Sequence, residues 1–191
     1  MQRHRSSAER GFSLVDLLAV VAIIGIVSAI AVPGMLGAIE RVRLGQSARE
    51  VERELQQAKA RAVVKGRAMR VRFDCPAAGQ YRMVELIGTT SVPAAADSAA
   101  NRCDTTVYPY PADSDPATTP NLDGPLRRLD DTVTFTQAQT IEFRPNGTAF
   151  YEVSAGDFDL IPVAGIEIRL ERDDVTAILT VNGLGKIELQ E

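Results

Sequence analysis

The most constraining feature of this sequence is an apolar run near its amino terminus. Phe12–Val32 contains 21 residues, and Asp16 is the only charged side chain among them. A helix of about 20 apolar residues is long enough to cross the hydrocarbon core of a bilayer. Three arginines lie in the first ten residues, and the positive-inside rule keeps such a flank cytoplasmic. The sequence therefore predicts one membrane-spanning helix, with the rest of the chain on the far side.

Two ordinary interpretations of this run leave Asp16 unexplained. A cleaved secretory signal usually has an apolar core of about 7–15 residues, which is shorter than this run. Pro33-Gly34 then follows without a convincing cleavage signature. A simple signal anchor has a suitable length, but a carboxylate inside hydrocarbon costs several kcal/mol. Neither interpretation accounts for an acid four residues after Phe12.

The stretch GFSLVDLL, residues 11–18, resembles the class III signal of type IV prepilins and type II secretion pseudopilins. Members of that family carry a glutamate where this chain has Asp16. The resemblance implies that a membrane-embedded prepilin peptidase cuts between Gly11 and Phe12, on the cytoplasmic side. The new amino terminus of Phe12 would then be N-methylated. By this resemblance, residues 1–11 are a cleaved leader and the apolar segment is retained.

The implied cut gives Asp16 a physical role. The amine of Phe12 stays charged after methylation, and among packed apolar helices it needs a compensating carboxylate. Asp16 of a neighbouring subunit is the expected counter-charge, and this pairing fixes the axial register. Aspartate is one methylene shorter than the family's glutamate, which affects the strength of the pairing but not its sign. Pro33 lies where family members tend to carry a helix-kinking proline.

The hydrophobic segment 12–33 is expected to be the transmembrane and filament-core helix. An amphipathic helix is predicted to continue from it over residues 34–67. Four apolar side chains recur there at helical spacing; they are Val51, Leu55, Ala58 and Ala62. We expect this stripe to dock on a sheet. Charged residues occupy the other faces, namely Arg49, Glu50, Glu52, Arg53 and Glu54. Gly66 is a stop signal near the expected end of the helix.

Six basic residues also lie along the second helical segment, and they are predicted to form a solvated face. They are Arg41, Arg43, Lys59, Arg61, Lys65 and Arg67. Contact with neighbouring subunits is the functional alternative for this face.

Residues 68–191 are predicted to form a globular β domain, because the apolar period there changes from helical to two. Strands are expected in MRVRF, QYRMVELI, TVTFT, TIEFRP, TAFYEV, GIEIRLER, VTAILTV and KIEL, with a hairpin turn at Asn146-Gly147. Residues 88–131 form a long loop rich in Pro, Ala, Asp, Ser and Thr. The expected fold class is α+β, with one long amino-terminal helix, half of it transmembrane, packed on an antiparallel sheet.

The carboxy-terminal half resembles a narrower group. FRPNG (Phe143 to Gly147) and GLGKI (Gly183 to Ile187), with their hairpinned strands, are similar to the GspH/FimT-type pilin domain. With the amino terminus, this resemblance covers nearly the whole mature chain except the 88–131 loop. It implies the pilin fold and a minor subunit that initiates or caps a filament. Type IV pili and type II secretion systems share these signals, so both assignments stay open.

The resemblance also implies partners and a location. The partners are the prepilin peptidase, other pilin or pseudopilin subunits, an inner-membrane assembly platform and the lipid membrane. The chain would cross the inner membrane once, with its carboxy-terminal domain in the periplasm, and would then move into a pilus or pseudopilus. A membrane-anchored periplasmic binding domain without a filament is an alternative.

The cysteines predict a disulfide. Cys75 and Cys103 are the only two in the chain, and export would place them in an oxidising compartment. Their bond would tie the long loop to the first hairpin, a closure worth about 3–4 kcal/mol. Two sulfurs without a nearby histidine supply too few ligands for zinc, so no metal is expected.

The sequence argues against an enzyme. His4, the only histidine, lies in the implied leader, so histidine-dependent nucleophile and metal schemes are excluded from the mature chain. Paired carboxylates are expected in loops and turns, where aspartate is favoured structurally. These pairs are Asp113/Asp115, Asp130/Asp131, Asp157/Asp159 and Asp173/Asp174. We expect no cofactor.

DNA uptake is an alternative function, because some FimT-like minor pilins bind DNA through arginines near the carboxy terminus. Here the tail GKIELQE offers only Lys186, and residues 68–191 contain ten basic and nineteen acidic side chains. The basic pairs in the loop and sheet are Arg127-Arg128 and Arg169/Arg172. Phosphate binding requires clustered lysines and arginines, so nucleic acid is not an expected partner.

Overall fold

The computed structural model describes residues 14–86, 97, 99–110 and 123–190, without the side chains of residues 32–40. The chain divides into two compact units, Met1–Glu40 and Arg41–Glu191. Gly11 and Phe12, and with them the implied cleavage site, lie outside the described residues.

Helix α1 spans Leu14–Lys65, which is 52 residues. Its apolar beginning and its amphipathic end agree with the predicted helical segments. The helix is continuous past Pro33, and the kink at that residue stays a prediction. Gly66 follows the last helical residue with a φ of 67°, a left-handed conformation that favours glycine. The predicted stop signal is therefore confirmed.

Ten strands follow the helix among the described residues. They are β1 Met69–Phe73, β2 Gln80–Glu85, β3 Arg127–Arg128, β4 Thr134–Gln137, β5 Ile141–Phe143, β6 Ala149–Ser154, β7 Asp157–Leu160, β8 Ile166–Arg172, β9 Val175–Val181 and β10 Ile187–Gln190. Every pairing between them is antiparallel. The predicted α+β class, a long helix with antiparallel strands packed on it, is confirmed.

The strands are divided between two sheets rather than one. The first sheet has the order β3-β2-β1-β5-β6-β7, and the second has the order β10-β9-β8-β4. The chain passes between them after β7, where Ile161 N still donates to Ala149 O at 3.1 Å. Gly165 then turns with a φ of 87°, and a Cβ on it would lie 2.6 Å from a methyl group of Thr180. Only glycine fits at this crossing.

The core lies between the second half of α1 and both sheets. The predicted stripe of Val51, Leu55, Ala58 and Ala62 is fully buried, so its docking on the strands is confirmed. The first sheet contributes Met69, Val71, Met83, Ile141 and Phe143, and the second contributes Ile168, Leu170, Leu179 and Val181. One apolar cluster thus joins the helix to the two sheets.

Glu54 departs from the prediction that the charged residues of this helix point away from the core. Its side chain is only 1% exposed, and its Oε2 accepts a hydrogen bond of 3.0 Å from Arg127 Nε. Arg127 lies in β3, inside the segment predicted to be loop. A buried carboxylate requires such a partner, and here the partner is 73 residues away in sequence.

The predicted loop of residues 88–131 contains ordered structure where it is described. A 3-10 helix spans Ala100–Cys103, and β3 pairs with β2. Cys103 is bonded to Cys75 with a Cα–Cα distance of 5.6 Å, so the predicted disulfide is present. Tied to the first hairpin in this way, the described residues around Cys103 belong to the packed domain.

Candidate functional site

The most unusual surface of the molecule is the beginning of α1. Leu14–Ala31 has a mean hydropathy of 2.7, and none of it is buried. The exposed fraction of its large apolar side chains runs from 50% at Val20 to 76% at Ile30. By length and composition, this segment is able to cross a membrane. Apolar surface of this extent marks a membrane or protein interaction site.

Asp16 lies in the first turn of this segment, and its side chain is exposed. A carboxylate at that position is favoured by the partial positive charge of the helix amino terminus. It is thus accessible to another chain at the end of α1 where the Phe12 amine is predicted. The pairing itself is not described by the structure and stays a prediction.

The basic face of the second half of α1 is only partly solvated. Arg41 and Lys65 are exposed, in agreement with the prediction. Lys59 Nζ instead donates to the carbonyl oxygens of Leu184 and Gly185, at 3.2 and 2.9 Å. Two exposed arginines also form ion pairs with the packed domain, Arg43 with Asp130 at 3.8 Å and Arg67 with Glu85 at 2.5 Å. Part of this face therefore holds the helix to the strands.

Several of the basic side chains that a nucleic-acid site would use are paired with carboxylates. Arg169 Nη2 lies 2.6 Å from Glu167, and Lys186 Nζ lies 2.5 Å from Glu188. Arg172, which is buried, lies 3.9 Å from Asp130. Such pairing lowers the positive potential that binds phosphates, so the structure adds no support for the DNA alternative.

The acidic pairs have separate structural surroundings. Asp173 and Asp174 form the turn between β8 and β9, as predicted. Asp157 and Asp159 were expected in a loop but belong to strand β7, where they alternate with Phe158 and Leu160. This prediction was wrong because β7 extends an existing sheet edge, and tertiary pairing overrides the low strand propensity of aspartate. The Asp113/Asp115 pair lies outside the described residues.

The remaining pair includes Asp130, whose role is to hold a turn. Its Oδ1 accepts hydrogen bonds from the Thr132 hydroxyl at 2.7 Å and from the Thr132 amide at 3.2 Å. The hydrogen bond from the Thr132 hydroxyl is the main reason that the pKa of Asp130 lies below its usual value. Among the described residues, no three His, Cys, Asp or Glu side chains are grouped to hold a metal ion.

A buried charged cluster, which the sequence pattern does not reveal, anchors the disulfide-bonded segment. Arg102 Nη2 donates to Asp123 Oδ1 and to Glu85 O, both at 2.8 Å, and its Nη1 also donates to Asp123. Arg82 Nε donates to Gly124 O at 2.8 Å. Burial lowers the pKa of Arg82, and the charge of Asp123 opposes that effect. The cluster ties residues 102–103 and 123–124 to strand β2, which is a structural role.

The comparisons with known proteins give likenesses in fold. No family model and no curated protein matches the sequence. Two crystal structures of the type IV minor pilin FimU from Pseudomonas aeruginosa are 16% identical to this chain, with TM-scores of 0.47 and 0.42. They cover 80% and 78% of this chain, and it covers 91% and 93% of theirs.

The minor pseudopilin EpsH from the type 2 secretion system of Vibrio cholerae is 13% identical, with a TM-score of 0.41. The match covers 78% of this chain and 96% of EpsH. At these identities and TM-scores the likenesses establish no function for this chain.

Proposed function

We propose that this chain is a minor subunit of a type IV pilus or of a type II secretion pseudopilus. The observation that carries the proposal is helix α1. Its first part, Leu14–Ala31, is apolar and exposed, while Val51, Leu55 and Ala58 in its second part are buried in the packed domain. One continuous helix thus anchors a folded domain and leaves an apolar surface for other molecules.

Such a segment suits two successive environments. A helix satisfies its own backbone hydrogen bonds, so it is stable in the hydrocarbon of the inner membrane. The same side chains then pack against the helices of other subunits when the protein is moved into a filament. Transfer from lipid to packed helices keeps the apolar surface away from water in both states.

Asp16 is the residue that distinguishes assembly from simple anchoring. Cleavage after Gly11 creates a charged amine on Phe12, and in a bundle of apolar helices this amine needs a carboxylate nearby. Asp16 of the adjacent subunit supplies the carboxylate, because it is exposed and near the same end of the helix. The amine of a cleaved, methylated Phe12 and the carboxylate of Asp16 therefore act as one ion pair in assembly.

The packed domain fits a location outside the cytoplasm. Its Cys75–Cys103 disulfide closes a separation of 28 residues, and such bonds persist in oxidising compartments such as the bacterial periplasm. The arginines before the apolar run keep that end cytoplasmic. Together they support a single-pass orientation with residues 41–191 in the periplasm before assembly.

Mass spectrometry of the chain purified from its own cells tests the cleavage. We expect a mature amino terminus at a methylated Phe12. An intact amino terminus, or one that begins after Pro33, would contradict the proposal.

Substitution of Asp16 tests the assembly role. Asp16→Ala should leave membrane insertion intact and reduce the amount of the chain in sheared filaments by at least about tenfold, since it leaves the buried amine without a counter-charge. Asp16→Glu, which restores the carboxylate, should assemble at least as well as the natural chain. Ser28→Ala is a matched control in the same segment and should assemble normally. Normal assembly of Asp16→Ala would refute the counter-charge.

A further inference from the structure

Between β2 and β3, one described stretch of chain contributes nothing to the apolar core. It comprises residues 97, 99–110 and 123–124, and we call it the Cys103 segment. None of its residues belongs to the core cluster that joins α1 to the two sheets. Its buried side chains are instead Asp97, Arg102, Cys103 and Asp123. Apolar burial, which is the main force that holds chain segments in place, is therefore almost absent here.

Arginines supply the polar contacts between the Cys103 segment and the strands beneath it. Arg72 of β1 donates from Nη1 to Ala99 O at 2.5 Å, and Arg82 of β2 donates from Nη1 to Cys103 O at 3.4 Å. Arg72 and Arg82 are cross-strand partners, and like charges that lie opposite each other are destabilising. Arg102 of the segment adds a third positive charge. These contacts position the segment but bring like charges together.

Two guanidinium nitrogens in this network are buried without a hydrogen-bond acceptor among the described residues. They are Nη2 of Arg82 and Nε of Arg102. Each lies 3.8 Å from a carboxylate oxygen, of Asp123 and of Asp97 respectively, which is beyond hydrogen-bond reach. A buried ion pair compensates its desolvation only when its remaining donors are satisfied. The network therefore adds little net stability to the attachment of the segment, although it determines how the segment lies.

The remaining attachment is the disulfide. Cys75 lies in the turn between β1 and β2, and its bond to Cys103 joins the segment to that hairpin. A cross-link disfavours an open state by removing much of the chain entropy that opening would release. Cys103 is fully buried, and Cys75 is only 5% exposed. Thiol–disulfide exchange needs access to a sulfur atom, so the bond can be reached only when the segment is open.

We propose that Cys75 and Cys103 form a redox latch. In the reduced chain the core is folded, and the Cys103 segment opens locally from β1 and β2. Oxidation closes the segment, and closure then shields the bond from reductants. The latch therefore closes in one direction, in the compartment where an oxidant is present. It does not depend on whether the chain is a filament subunit.

The chemistry of the latch is thiol–disulfide exchange with an oxidising protein disulfide. The thiolate of one cysteine attacks that disulfide, and a mixed disulfide forms as one sulfur of the oxidant leaves as a thiolate. The second cysteine of the chain then attacks the mixed disulfide and releases the other sulfur of the oxidant. The two cysteines together lose two electrons and two protons, and the oxidant is reduced to a dithiol. Oxidants of this kind act in compartments such as the bacterial periplasm.

Amide hydrogen exchange of the full chain in detergent micelles tests the local opening. The reporters are the amides of Arg102, Asp104 and Tyr108, which donate to backbone oxygens within the segment. In the natural chain refolded under reductant, and in Cys75→Ser/Cys103→Ser, we expect these amides to exchange at least about tenfold faster than in the oxidised chain. Low concentrations of urea should not change the faster rate, because a local opening exposes little additional surface.

The paired amides of strands β8 and β9 report on global unfolding in the same samples. They should exchange faster as urea is added, since global unfolding exposes a large surface. Ala78→Ser is the matched control, because it changes an exposed residue of the turn that contains Cys75 and keeps the bond. Its exchange rates should equal those of the natural oxidised chain.

Three results would overturn the latch. If the segment amides exchange no faster in the reduced chain, the polar contacts hold the segment without the bond. If the segment amides and the β8–β9 amides depend equally on urea, the bond stabilises the whole domain and no local opening exists. If the reduced chain loses its far-ultraviolet circular dichroism, the core does not fold without the bond.

The rate of reduction tests the one-way closure. Dithiothreitol should reduce the bond of the oxidised chain at least about tenfold more slowly in buffer than in a denaturing concentration of urea, because the sulfur atoms of the closed state are buried. Alkylation with iodoacetamide followed by mass spectrometry counts the thiols released. Equal rates in the two solutions would show that reductants reach the bond in the closed state, and would overturn the shielding.

Discussion

The two parts of helix α1 have the same secondary structure and opposite surroundings. In Leu14–Ala31 the apolar side chains are exposed, and none of the segment is buried. In the part that begins at Arg41, the apolar stripe that includes Leu55 and Ala58 is fully buried. Both parts are helical, so the difference in burial comes from what surrounds the helix. The packed part is completed by its own chain, and the exposed part requires another molecule to cover it.

The acidic residues of the two parts show the same contrast. Glu54 is 1% exposed and is compensated by Arg127 of the same domain at 3.0 Å. Asp16 is exposed at the beginning of the apolar part. A carboxylate in an apolar environment needs a cation. For Glu54 this cation is Arg127, and for Asp16 in a filament we propose the Phe12 amine of an adjacent subunit.

The largest expected effect comes from placing the same charge in both parts. Leu55→Lys puts an unpaired ammonium into the core, and we expect a loss of more than about 5 kcal/mol, enough to unfold a domain of ordinary stability. Ile24→Lys should leave the packed domain folded, but should add about 2.5–3.5 kcal/mol to the cost of membrane insertion. Urea unfolding followed by circular dichroism measures the first effect, and alkaline extraction of membranes measures the second.

Gln57→Lys is the matched control, because Gln57 is exposed on the packed part of the helix. Gln57→Lys should change neither the free energy of unfolding nor the extraction of the chain from membranes. If Leu55→Lys and Ile24→Lys had the same effect on the unfolding of the domain, the division of α1 into a packed and an uncovered part would be wrong.

Removal of the disulfide affects the packed part of the chain alone. The Cys75→Ala/Cys103→Ala double variant loses a bond that closes a separation of 28 residues. The chain-entropy model gives a loss of about 3–4 kcal/mol in the free energy of unfolding. Membrane insertion should be unchanged, because Leu14–Ala31 has no part in the bond. The unfolding free energy in urea, compared with that of the natural chain under oxidising and reducing conditions, is the measurement. An equal free energy of unfolding with and without the disulfide would contradict this stabilising role.

The regular parts of this fold could be predicted because their signals are local. The apolar run, the helical stripe and most strands have their own periodicity, and the structure confirms them. Gly66 is also a local signal, since it combines a helix end with a left-handed φ of 67°. The disulfide followed from the number of cysteines and the expected compartment, without knowledge of the fold.

The parts that sequence reasoning missed depend on residues far apart in the chain. The burial of Glu54 requires Arg127, and the order around Cys103 requires the pairing of Arg102 with Asp123 and Glu85. The division into two sheets depends on a single crossing at Gly165, whose neighbours Thr180 and Val181 lie in β9. None of these contacts leaves a period in the sequence.

The loop between β9 and β10 shows an intermediate case. Its motifs could be noticed in the sequence, because Asn146-Gly147 is a turn signal and GLGKI resembles a known pattern. The sequence does not show why these motifs contain glycines. The reason is the close approach of Gly185 to Gly147 O and of Gly183 to Ile161 O. The exposure of Leu184 between two required glycines became visible only with the fold.

The smallest expected effect concerns the beginning of the packed part, where Arg43 lies 3.8 Å from Asp130. The hydrogen bonds from Thr132, first that of its hydroxyl, hold the pKa of Asp130 below its usual value. A carboxyl group whose pKa is lower in the folded chain stabilises the fold fully above its unfolded pKa of about 3.9, and this contribution is lost as the pH falls through the folded pKa. Stability should therefore fall in acid.

Asp130→Asn isolates this contribution, because the amide oxygen can still accept the hydrogen bonds of Thr132 while the charge beside Arg43 is removed. We expect a slightly lower thermal unfolding midpoint than that of the natural chain at neutral pH. The two midpoints should converge as the pH falls below the unfolded pKa of about 3.9 and then through the lower pKa of the folded aspartate. Asp131→Asn, an exposed neighbour, is the control and should follow the natural chain more closely at neutral pH. A difference between Asp130→Asn and the natural chain that stays constant across the pH range would show that the charge of Asp130 does not stabilise the start of the packed helix, and that this part is held by its apolar stripe alone.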